Sequence, residues 1–177
     1  ILFTAIFSGV EIIWDKQFGF LKETFVAPVS RLQIVVGRTL GGATVATMQG
    51  VIVFLLTFLI GFRLDNWANF PLIILAMFLV ALLFTGLGTA IASVLQDMQG
   101  FQLIMNFLVM PIFFFSGALF PLTGLPKALK IVASINPLTY GVDALRGLLT
   151  NSSYYGISLS LSVLVSVTIF LFALASY

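Results

Sequence analysis

Four stretches of this chain, Leu40 to Gly61, Pro71 to Leu95, Phe101 to Phe120 and Ile157 to Tyr177, contain no Asp, Glu, Lys or Arg. Each is close to the ~20 residues that an α-helix needs to cross the hydrocarbon of a bilayer. In hydrocarbon a backbone N–H or C=O without a partner is costly, so an apolar run satisfies its polar groups within itself and becomes a helix. Overall, 60% of the residues are hydrophobic and 8% charged, with mean hydropathy +1.18. Those values exclude a soluble globular domain and indicate an integral membrane protein.

The expected architecture is all-α: a polytopic membrane helix bundle occupying residues 1–177 as one transmembrane domain. Spans are expected at about 39–62, 71–95, 101–120 and 157–177, preceded by a partial span at 1–13. Ile1 lies inside an apolar run too short to cross alone, which suggests a chain truncated at its N-terminal side. A charge of +2 without any cluster of Lys and Arg offers no phosphate-tracking patch, so nucleic acid is not an expected partner. With neither Cys nor His, thiol, haem and Ser-His chemistries lack their ligands or bases, and no catalytic or metal site is expected.

Polar and small residues inside the spans mark where they meet other groups. Arg38 is costly at the bilayer centre, so it should lie near the end of its span with its head reaching for water. Gly42, Ala46 and Gly50 recur every fourth residue, beside a second small pair at Gly37 and Gly41. Such ridges let helices approach closely, either within the chain or at a subunit seam. Gln99, Gln102 and Asn106 share one face of the 101–120 span. Amides at that depth must meet protein or water, as interhelical glue or, for Gln102 and Asn106, as the lining of a transport path. Pro111 is expected to kink this helix.

Two segments between spans are amphipathic. Trp14, Phe18, Leu21 and Phe25 fall on one face of a helix expected over 14–27, with Asp15, Lys16, Lys22 and Glu23 turned away and Pro28 ending it. A helix of this kind rests on the membrane surface or plugs into a partner. Further along, short helices are expected at 125–135 and 137–149, the second opening on Asn136 as N-cap and Pro137 at its first position. Leu138, Val142, Leu145 and Leu149 form its apolar face, and Thr139, Asp143 and Arg146 its polar one. Neither helix can span, so the pair is re-entrant or interfacial. Asp143 and Arg146 stand at the i, i+3 spacing of a surface ion pair.

Asp15, Lys16, Gly19 and Leu21, followed by Pro28, Val29, Ser30 and Arg31, resemble the coupling helix of the membrane subunits of type-2 ABC exporters, the drug-resistance and nodulation-factor export permeases. Gln17, Phe20 and Ala27 depart from that pattern. A second stretch is similar to the signature of the same family: Ser116-Gly117-Ala118-Leu119-Phe120-Pro121, then Leu125-Pro126, then Ile135-Asn136-Pro137-Leu138-Thr139-Tyr140 and Val142-Asp143 with Leu145-Arg146. The resemblance implies a fragment of a six-helix permease in the plasma membrane that works as a dimer with a second copy. The Trp14 to Pro28 segment, with Arg31, would seat in an ABC ATPase subunit, and Asn136, Pro137, Tyr140, Asp143 and Arg146 would form an external gate. ATP and Mg would be held by that partner, since this sequence has no G-x-x-x-x-G-K-[ST] loop and no cofactor of its own is expected. The resemblance also orients the chain, because Lys and Arg are tied between the two sides and the positive-inside rule favours neither. An ion-coupled carrier or channel is the alternative, against which no acidic residue lies at membrane depth.

Overall fold

A helix that must be covered on several sides has to be apolar nearly all the way round, and Phe70–Val94 is the stretch that meets this condition. The computed structural model, which describes residues 1–19, 31–64, 66–120 and 126–175, puts that helix at the centre of the molecule. In chain order the helices are α1 (Leu2–Phe7), α2 (Val10–Gln17), α3 (Arg31–Leu59), α4 (Phe70–Val94), α5 (Met98–Phe114), α6 (Lys127–Ile135), α7 (Pro137–Thr150) and α8 (Ile157–Ala175), with a 3-10 turn at Trp67–Asn69 before α4. No strand occurs among the described residues. The protein is an all-helical membrane bundle.

The central helix packs against α1, α2, α3, α7 and α8. Ile73, Ala76, Met77, Val80, Ala81, Leu83, Phe84, Gly88 and Ala92 are all buried on it, at spacings that cover more than one face. At 1.5 Å per residue its 25 residues reach about 38 Å and the 29 of α3 about 44 Å, both longer than the ~30 Å hydrocarbon layer. The 17 residues of α5 and 19 of α8 reach about 26 and 29 Å.

Small residues set how closely the helices approach. Ser8 and Gly9 separate α1 from α2, and at this bend the two backbones nearly touch: a Cβ on Gly9 would lie 2.5 Å from the Gly88 carbonyl oxygen, and one on Gly88 2.4 Å from that of Ile6. Only glycine fits at either position. On the ridge of α3, a Cβ on Gly42 would collide with Ser8 and Thr85, and one on Gly50 with Ile1. That ridge is therefore a seam within the chain, whereas Gly37 and Gly41 face open space.

Several boundaries differ from expectation for local reasons. The helix carrying Arg38 begins at Arg31, not near residue 39, since nothing between them interrupts it. α5 ends at Phe114, before the expected 120, and Gly117 beyond it takes φ +76°. Pro111 lies inside α5, three residues before its end, where its missing N–H leaves the Phe107 carbonyl without its helical partner. The single helix expected over 14–27 does not form with those bounds: its first residues belong to α2, which starts at Val10, and Gly19 with φ +81° stops the helical path after Gln17.

Candidate functional site

At one end of the bundle, the last turn of α2 is gripped from two sides. Asp15 pairs with Arg38, which lies about two turns inside α3, so Arg38 is neutralised there. Lys16 Nζ donates to the carbonyl oxygens of Ala92 and Leu95, both at 3.0 Å, and to that of Ser93. Gln17 Nε2 donates to the Gln96 carbonyl at 3.4 Å. The last carbonyls of an α-helix have no partner within it and carry the negative end of its dipole, so an ammonium there serves both as cap and as counter-charge. Partial burial lowers the Lys16 pKa from the usual lysine value.

The other side of the same turn is free of the bundle. Trp14 is 51% and Phe18 71% exposed, so the apolar face expected for this segment points away from the helices. Leu21 and Pro28 lie outside the described residues, as does the Arg31 side chain. Gly19, at its positive φ, has no atom of the other described residues within 4 Å of where a Cβ would be.

On α5, Phe101, Met105 and Val109 are buried at i, i+4 and i+8. Gln102 and Asn106 lie on the opposite, exposed face with Leu103 and Phe107. The two amides therefore share a face, and that face is turned away from this chain's own helices.

The far end of the bundle is organised by α7. Asn136 caps its start, Oδ1 accepting from the Leu138 N–H at 3.0 Å, while its Nδ2 donates to the Ile112 carbonyl at 2.6 Å near the end of α5. Arg146 donates to the Gly117 carbonyl at 2.9 Å. Tyr140 Oη donates to the Ser134 carbonyl at 2.8 Å, tying α7 back to α6. Pro137 is the first residue of α7, where its missing N–H goes unneeded.

Asp143 and Arg146 do not pair with each other. Asp143, 3% exposed, accepts from the Tyr154 N–H at 2.6 Å, the Tyr155 N–H at 3.0 Å and the Ser160 hydroxyl at 3.0 Å. The face of α7 expected to be polar and outward thus carries Thr139 and Asp143 into the interior. Glycines admit close neighbours on other sides of α7 as well: a Cβ on Gly141 would strike Val80 of α4, and one on Gly147 would strike Ile157 of α8.

Sequence reasoning missed three contacts. One is Lys16 on the end of α4, another is Ser160 on Asp143, and the third joins Thr4 of α1 to Gln49 of α3. Gln49 in an otherwise apolar run was the one available signal for the third. The serine of the second is indistinguishable from neighbours such as Ser162 and Ser166, which bond back to their own helix.

Residues 1–150 match the family model of the ABC-2 type transporter membrane domain. The chain belongs to that family. It is 31% identical over 157 residues to the ycf38 protein of Pyropia yezoensis, covering 85% of this chain and 52% of that one. It is 25% identical over 131 residues to nodulation protein J of Rhizobium leguminosarum bv. viciae, covering 74% and 50%. Against the inner membrane transport permease YadH of Escherichia coli K12 the identity is 25% over 127 residues, covering 71% and 48%. The chain thus spans about half the length of these curated relatives. No solved structure matches it. ABC-2 permeases are components of transporters, and the membrane bundle with its two anchored ends is this family's domain.

Proposed function

We propose that this ABC-2 domain is the transmembrane part of an ATP-driven exporter in the plasma membrane, spanning it several times and driven by a separate ABC ATPase subunit that holds ATP and Mg. The observation that carries this reading is the two-sided turn at Trp14 to Gly19. Trp14 and Phe18 stand clear of the bundle, while Asp15, Lys16 and Gln17 on the same turn are tied to α3 and α4. A segment exposed on one side and anchored on the other suits the passage of a push from a partner into the helices. Trp14, Asp15, Lys16, Phe18, Gly19, Leu21, Pro28 and Arg31 form the coupling segment in this account. The names of the permease relatives, YadH among them, agree with a transport role.

The path runs along the exposed face of α5 and is completed by a second copy. Gln102 and Asn106 would be costly against lipid, and facing each other across a two-fold axis they would give an apolar wall two hydrogen-bonding positions. Such a wall suits an amphipathic substrate, a drug, lipid or glycolipid, better than an ion, which would need fixed charge. Asn136, Pro137, Tyr140, Asp143 and Arg146 form the outer gate, held by α5 on one side and α8 on the other.

ATP hydrolysis by the complex of the full-length permease with its co-expressed ATPase, reconstituted in lipid nanodiscs, tests the coupling. Phe18→Asp places a charge on the exposed apolar contact and leaves the bundle untouched. Loss of the permease-dependent part of hydrolysis, with normal membrane insertion, is the expected result. Hydrolysis equal to wild type would refute coupling at this turn.

A further inference from the structure

We infer that Lys16 is the joint through which the coupling segment moves the central helix, a positioning residue for transport rather than a surface charge. The inference rests on the coupling reading of the Trp14 to Gly19 turn. Three features of the geometry carry it.

First, Lys16 reaches 76 to 79 residues along the chain to the carbonyls of Ala92, Ser93 and Leu95. These are the last carbonyls of α4 and the residue that follows it, so the ammonium holds the helix by its end, where a displacement acts along and across the axis. Second, α4 is the helix against which α1, α3, α7 and α8 are packed. Whatever shifts its end is felt by the whole bundle, including α7 and the gate residues on it. Third, the neighbours of Lys16 hold different partners: Asp15 grips α3 and Gln17 the Gln96 carbonyl. The Asp15 link therefore moves α3, and the Lys16 link is the one that holds the end of α4, since Gln17 meets the chain beyond it.

Lower down the same interface, Gly9 and Gly88 bring the α1–α2 bend and α4 into backbone contact. That contact is a fulcrum: the chains touch there without a side chain between them, and the joint lies beyond it at Lys16, one end of a short arm.

The test uses the full-length permease in complex with its ATPase, with spin labels on cysteines at Val94, 80% exposed at the end of α4, and Phe170, exposed on α8, which the coupling segment does not grip. Residues 1–177 hold no cysteine of their own, and any elsewhere in the full-length protein is changed to serine, so labelling is specific. The label distance is measured without nucleotide and with ATP and vanadate. In wild type it shifts on closing the ATPase. In Lys16→Met the shift is lost, and Lys16→Arg restores it; a coupling of this kind corresponds to roughly ten-fold in the equilibrium it controls. A wild-type shift in Lys16→Met overturns the inference and leaves the coupling reading standing. Absence of any shift in wild type defeats both. If Lys16→Met does not assemble, Lys16→Gln, shorter and uncharged, serves instead: a reduced shift supports the joint and an undiminished one overturns it.

Discussion

Removing the Asp143 carboxylate should loosen the connection between α7 and α8 more than any other single side-chain change at that end. In Asp143→Ala, the N–H groups of Tyr154 and Tyr155 and the Ser160 hydroxyl lose their shared acceptor. A donor left unpaired in a buried place costs about 1 to 3 kcal/mol. Ser160 can turn to a backbone carbonyl of its own helix, as Ser162 does, so its loss is small. The two backbone N–H groups cannot turn, and both are only part-buried, which puts each near the lower end of that range. The sum is about 2 to 3 kcal/mol of local stability in the turn from Asn151 to Gly156. Hydrogen exchange on that turn reads the quantity directly, since a local opening that becomes easier by this amount speeds exchange by roughly thirty-fold to about 150-fold. Asp143→Asn keeps one acceptor oxygen and sets an NH2 against the other donor, so its effect should be about half as large in free energy. Exchange in Asp143→Ala within about two-fold of wild type would refute the reasoning, because the carboxylate would then be holding nothing.

Gly88→Ala forces a methyl toward the Ile6 carbonyl, which is backbone and cannot swing aside, so the α1–α2 bend must shift. Thermal unfolding in detergent should report a loss of about 1 to 3 kcal/mol, the usual cost of overpacking, while Gly37→Ala, facing open space, should be nearly silent. Replacing Gln102 and Asn106 together by Leu should leave insertion intact and weaken transport or dimer formation; unchanged transport and association would mean the amide face meets neither path nor partner. Tyr155 has its pKa raised, first by burial and then by Tyr140, Tyr154 and Asp143. The neutral phenol is therefore favoured in the fold, and its stabilising effect, complete below the ordinary tyrosine value of about 10, fades as pH climbs through the raised one. Phenolate absorbance in Tyr155→Phe should lack a component that titrates above the ordinary tyrosine value in the wild-type curve.

The bundle was legible because hydrocarbon punishes polarity so uniformly that uncharged runs must be helices, and Asn136-Pro137 marked the start of α7 by local chemistry alone. The amide face of α5 was legible for the same reason, as an i, i+4 spacing in an apolar helix. What the sequence hid were contacts with distant parts of the chain. On α7, Asp143 is buried against the N–H groups of Tyr154 and Tyr155 and the Ser160 hydroxyl, three donors that the hydrophobic pattern of the helix does not announce. Lys16 reads as one charge on a surface helix because nothing local reveals that a helix end 76 residues away lies within its reach. Gly19 reads as part of a continuous helix, since glycine is compatible with a helix as well as with the positive φ it adopts here.

The central claim is that the turn ending in Phe18 meets an ATPase. A photo-crosslinking phenylalanine analogue in place of Phe18, activated in membranes that contain the full-length permease and its co-expressed ATPase, tests it at the residue concerned. The account predicts a crosslinked product containing the ATPase, formed in lower yield when Trp14 is changed to Asp. Crosslinks to lipid alone, with the ATPase present and hydrolysing ATP, would contradict it.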